Sequence, residues 1–198
     1  MLGFKGIDDD VMGDQETRSR EDEYFWRKDQ ELIEKMRRAA ASDKARRELG
    51  RKAGLDDPEL VHELSALGFT IDTVDLLPLM PLVQMAWAEG GVTEAEQKLI
   101  VELARSRGIA DGSVADGQLM AWLATAPSPE VFSRSTRLIR AMLASPTPAS
   151  GVLSAEELVG YCEAIATASG GILGMRKVSG DERALLSQIA AELSGRNK

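Results

Sequence analysis

Trp87 to Glu96 reads WAEGGVTEAE: an aromatic residue closing an apolar helical run, two glycines, then a threonine with glutamates one and three positions later. The stretch suits two roles. In Thr93-x-x-Glu96 the hydroxyl can accept from the amide three residues on, while the glutamate bonds back to the threonine amide, forming a capping box. The glycines supply the left-handed backbone that ends the preceding helix. Read this way, the loop is a turn between two helices. Alternatively, Glu89, Glu94 and Glu96 place three carboxylates around one short loop, the oxygen-rich setting of a hard cation such as calcium. The alternating acidic positions and twelfth-position glutamate of an EF-hand are not part of it.

The stretch has a second, imperfect copy. AWAEGG at Ala86 to Gly91 aligns with ATASGG at Ala166 to Gly171, and VTEAEQKLIVELA from Val92 aligns with VSGDERALLSQIA from Val178. Thr93 then faces Ser179, Glu96 faces Glu182, and Leu99, Ile100, Leu103 and Ala104 face Leu185, Leu186, Ile189 and Ala190. Six residues, ILGMRK, are inserted in the second copy, and Ser169 stands in place of Glu89. An internally duplicated helix-loop-helix unit follows, with repeats over about 76–107 and 155–194. Ser154-x-x-Glu157 has the capping spacing without the glycines.

These residues resemble the tellurite-resistance TerB-like family, whose signature is close to W-A-D-G-x-V-[ST]-x-x-E. Here the matching residues are Trp87, Ala88, Glu89, Gly90, Val92, Thr93 and Glu96, with glutamate at position 89 where the family usually has aspartate. The resemblance covers roughly residues 72–195. It implies an all-helical fold of duplicated helix pairs, acidic metal-binding surfaces, stress responses and membrane-linked complexes, and no settled catalytic activity.

Around the repeat, cap signals alternate with apolar helical patterns. Asp57-Pro58-Glu59 starts a short helix that Gly68 stops, because proline at the first helical position sacrifices only an orphan amide. In LLPLMPLVQMAWA, Leu76 to Ala88, Pro81 kinks the helix or delays its start. Further helices are expected at about 93–107, 116–125, 129–144, 155–168 and 180–193. No alternating strand pattern occurs, so the fold class is all-α. The expected organisation is a disordered tail over 1–20, a charged amphipathic helix over 21–52 and a TerB-like helical domain over 53–198.

Composition narrows the function. The chain has 198 residues, of which 43% are hydrophobic and 28% charged, within the range of an ordinary globular protein. Its net charge of -8 argues against nonspecific nucleic-acid binding and against an anionic membrane surface. The longest apolar run holds two prolines and is too short to span a bilayer, so direct membrane insertion is not expected. The start MLGFKGIDDD lacks the pattern of a secretory signal, and cytoplasmic residence is the expectation. One cysteine, Cys162, permits no internal disulfide and reads as a small core residue. Residues 1–52 hold 13 acidic and 13 basic side chains, whereas 53–198 hold 19 and 11, so the negative charge belongs to the body.

The N-terminal segment offers a different surface. EDEYFWRKDQELIEKMRRAAASDKARRELG, from Glu21, has strong helix formers, acidic residues early and basic residues late. Its narrow apolar stripe docks on something, and Tyr24, Phe25, Trp26, Leu32 and Met36 are the candidate contact residues for a protein partner, this chain's own body or a second copy. Residues 18–38 also resemble the inhibitory helix of the ATP synthase inhibitor protein family, with Glu23, Tyr24 and Phe25 matching its E-x-Y-F region. That resemblance implies an alternative function as an inhibitor of a rotary ATPase. The histidine-rich coiled-coil continuation of the mitochondrial members does not follow here.

Catalytic candidates are few. The one histidine, His62, lies beside Glu63 on a short helix with no nucleophile near it in sequence. GGILG at Gly170 to Gly174 lacks the lysine and spacing of a phosphate-binding loop. Arg134, Arg137 and Arg140 recur every three residues and read as a solvated helix face, with an acidic partner as the alternative. The expected function is therefore that of a non-enzymatic binding or regulatory protein, with a divalent cation as the one candidate cofactor.

Overall fold

A computed structural model of the chain describes residues 27–28, 34–145, 153–168 and 178–195. Two units are distinguished, Met1–Ala45 and Arg46–Lys198. The tail expected over 1–20, the aromatic residues Tyr24, Phe25 and Trp26, and Leu32 lie outside the described residues. In the first unit, residues 34–45 are helical and every one of them is exposed. Arg38 there donates to Glu34 one turn earlier, at 3.0 Å.

The described residues are all-α, with no strand among them. Helical residues 34–53 form α1, and its part in the second unit buries Leu49, Gly50 and Ala53. There follow α2 (Pro58–Ala66), a 3₁₀ segment (Val74–Leu79), α3 (Met80–Ala86), α4 (Glu94–Ser106), α5 (Val114–Ala124), α6 (Pro129–Ala144), α7 (Ala155–Ala168) and α8 (Gly180–Leu193). The starts follow from local chemistry. Asp57 accepts from the Glu59 amide at 2.8 Å, Ser113 from Asp116, and Ser128 from Val131, each satisfying an orphan donor of a first turn.

The two prolines of LLPLMPLVQMAWA act differently. Pro78 lies inside the 3₁₀ segment, and Pro81 sits in the first turn of α3, where its missing N–H costs no helical bond. The helix start is delayed rather than kinked. This run forms the centre of the core: Leu76, Leu77, Leu79, Met80, Leu82, Val83 and Met85 are almost fully buried. Each such side chain contributes about 1.5–3 kcal/mol of burial.

Around α3 the principal neighbours are α7 and α6, while α8 packs on α6 and α7. The two repeat copies thus pack against each other, but they do not bury the same face. Counted from its capping glutamate, α4 buries Ile100 and Ala104, whereas α8 buries Ile189 and Leu193. At about 100° per residue those faces differ by about 60° around the helix axis. Both helices lie against α3 and α7, but α8 also packs on α6, whereas α4 packs on the 3₁₀ segment.

Candidate functional site

The loop from Trp87 to Glu96 is anchored at both ends. Trp87, half-buried, donates its indole N–H to the Trp122 carbonyl on α5 at 2.8 Å, and Trp122 meets Phe69 edge to face at 5.7 Å. Gly90 adopts φ +83°, a left-handed conformation that favours glycine, so one of the two glycines makes the turn. At the far end Thr93 accepts from the Glu96 amide, and Glu96 Oε2 accepts from both the Thr93 amide (2.7 Å) and the Thr93 hydroxyl (2.8 Å). The capping box read from the sequence is formed. The second copy repeats it, with Ser179 donating its amide to Glu182 Oε2 at 2.7 Å and accepting from the Glu182 amide. Ser154 and Glu157 make the same pair of bonds before α7.

Both capping glutamates of the repeat, Glu96 and Glu182, are 2% exposed. Burial raises the Glu96 carboxyl above the usual range; the bonds from Thr93 pull it back, and the negative charges of Glu182 and Glu89 push it further up. Glu96 Oε2 is committed to the cap, and the neighbouring Glu89 and Glu94 are exposed. No three His, Cys, Asp or Glu side chains gather so as to hold a metal ion among the described residues. Ser169, the counterpart of Glu89, lies outside them.

Of the aromatic and aliphatic contact residues expected on the N-terminal helix, Met36 is described, and it is 63% exposed. Cys162 is fully buried, and burial pushes its thiol up to about 12, so it is an inert core residue at neutral pH. His62 is exposed on α2.

The arginine row on α6 keeps the expected solvated face at Arg137 and Arg140, which are exposed, and it also meets an acidic side chain of another helix. Glu63 on α2, whose side chain is 7% exposed, accepts from Arg134 Nε at 2.9 Å through one oxygen and from Arg137 through the other. Arg134 also reaches Glu130 one turn earlier. The acidic partner of this row is therefore within the chain. Sequence reading passed over Glu63 as a neighbour of the histidine; the available signal was its position three residues after Leu60, inside the apolar stripe of α2, where an unpaired carboxylate would be costly. A second internal cluster joins Arg105 to Asp116 (2.7 Å), Asp111 (3.0 Å) and the Ile109 carbonyl (3.0 Å). The Arg105 bond and the Gly112 amide hold the Asp116 carboxyl below its usual value.

The buried carboxylates Glu63, Glu96, Asp116 and Glu182 are thus engaged in capping and in ion pairs between helices. No described helix is long and apolar enough to cross a membrane. No protein-family model matches this sequence, and neither curated proteins nor solved structures give a match.

Proposed function

We propose that this chain is a non-enzymatic binding protein of TerB-like type, which takes a protein partner or a second copy through the apolar stripe of its N-terminal helix. The observation that carries the reading is the exposure of every described residue from 34 to 45, including Met36, on a helix whose sequence keeps an apolar stripe. Exposed apolar side chains on a helix are what a helix-binding surface requires. The test uses the full chain. Leu32→Glu with Met36→Glu is expected to abolish self-association in sedimentation velocity, or partner capture from native extract, while the far-UV spectrum and melting of the body stay unchanged. Association that survives the double substitution excludes the stripe.

A further inference from the structure

Of the three arginines on α6, two are paired with Glu63 and one is not. Among the described residues Arg140 has neither a hydrogen bond nor an ion pair. It stands instead beside a groove of about 600 Å³ with apolar walls from Leu60 of α2, Leu143 of α6 and Leu193 of α8. Arg137 shares the rim, and among the described residues no aspartate or glutamate lines the groove. This cationic and apolar spot belongs to a body whose residues 53–198 carry 19 acidic and 11 basic side chains.

We propose that this groove docks an acidic and aliphatic peptide segment of a partner protein, with a carboxylate on Arg140 and a neighbouring aliphatic side chain against Leu60, Leu143 and Leu193. Charge complementarity selects this occupant. A guanidinium presents a planar fork of donors suited to a carboxylate, and the apolar walls beside it reward an adjacent aliphatic group. The groove is open, which suits a side-chain pair on a peptide better than a small molecule that must bury most of its surface. The net negative body repels an acidic partner at long range, so the attraction is local and falls off over about 8 Å at physiological salt. Affinity therefore rests on the Arg140 contact and is sensitive to salt. The site is separate from the N-terminal stripe proposed above, and neither depends on the other.

Arg140 lies just before the last turn of α6, so its side chain can also act on the stability of the helix itself. The experiment separates the two roles. A random heptapeptide display library is selected on the full chain, and the enriched peptides are measured by fluorescence anisotropy against the full chain, Arg140→Gln, Arg140→Lys and Met36→Glu. Enrichment of peptides with Asp or Glu beside Leu, Ile, Val or Met is expected, with at least about tenfold weaker binding to Arg140→Gln. Arg140→Lys should recover part of that loss, Met36→Glu should bind like the parent, and affinity should fall as salt rises. No enrichment, enrichment of peptides without acids, or equal binding to Arg140→Gln overturns the proposal. A lower melting temperature of Arg140→Gln with unchanged peptide affinity assigns Arg140 to the stability of α6 alone and also overturns it. Equal competition by free decanoate makes this a small-molecule site, and altered self-association of Arg140→Gln without peptide binding makes it an interface between copies; either replaces the peptide.

Discussion

Glu63 and Arg134 stand 71 residues apart in the chain and 2.9 Å apart in the structure, on α2 and α6. Their bond, with that of Arg137 to the second carboxylate oxygen, ties an early helix to a later one through a charge that is otherwise out of water. The two ends of the cluster are not equivalent. Glu63 is buried, whereas both arginines retain partial contact with solvent.

That asymmetry sets the order of two substitutions. Arg134→Met with Arg137→Met leaves a buried carboxylate without a partner and is expected to cost about 3 kcal/mol. Glu63→Met leaves two arginines that can rehydrate and is expected to cost less, about 1–2 kcal/mol. Urea denaturation measures both, and equal losses would show that Glu63 also rehydrates in the double variant.

Gly50 and Gly117 make an opposed pair. A Cβ on Gly50 would lie 2.7 Å from Val61 Cγ2 and 2.9 Å from the Leu55 carbonyl, at the close approach of α1 to α2. Gly50→Ala is therefore expected to destabilise by about 1–3 kcal/mol, and Val61→Ala in the same chain should relieve part of the clash. On α5 a Cβ at Gly117 meets nothing within 4 Å, so Gly117→Ala is expected to stabilise by about 0.5–1 kcal/mol. Thermal melts of the two variants should shift in opposite directions.

Ser135 is fully buried on α6, and its hydroxyl has no hydrogen-bond partner. Removing an unsatisfied buried hydroxyl while keeping the Cβ is expected to stabilise by about 1 kcal/mol in Ser135→Ala. A loss of stability in urea would instead reveal a partner for the hydroxyl.

Acid titration separates two carboxylates of opposite sign. Asp116 has a lowered folded value, so its contribution is present above its unfolded value of about 3.9 and is lost as pH falls through the folded one. Glu96 is raised, so its contribution is present below its unfolded value of about 4.3 and is lost as pH rises through the folded one. Asp116→Asn should flatten the loss of stability below about pH 4. Glu96→Gln keeps an oxygen for Thr93 and removes the buried charge, so its stability relative to the parent should improve as pH rises above about 4.5. Glu96→Ala, which loses the cap bond, should cost about 1 kcal/mol. Parallel pH profiles for the parent and Glu96→Gln would contradict the burial account.

The sequence by itself determined the helices and their starts, because Asp57-Pro58, Thr93-x-x-Glu96, Ser128-Pro129 and Ser179-x-x-Glu182 act through bonds to amides two or three residues away. It also marked Leu76 to Ala88 as buried, since a run so apolar has few places outside a core. Only the tertiary structure decided which charges meet. Glu63 reads like any helix carboxylate until α6 is laid against it, and Arg140 reads like Arg134 and Arg137 until its neighbours prove apolar. The same holds for Glu96 and Glu182, whose matching caps follow from local spacing but whose repulsion depends on how the two copies pack. Capping is decided within one turn of helix, whereas the energy of a charge depends on every group within several ångströms, whatever its distance along the chain.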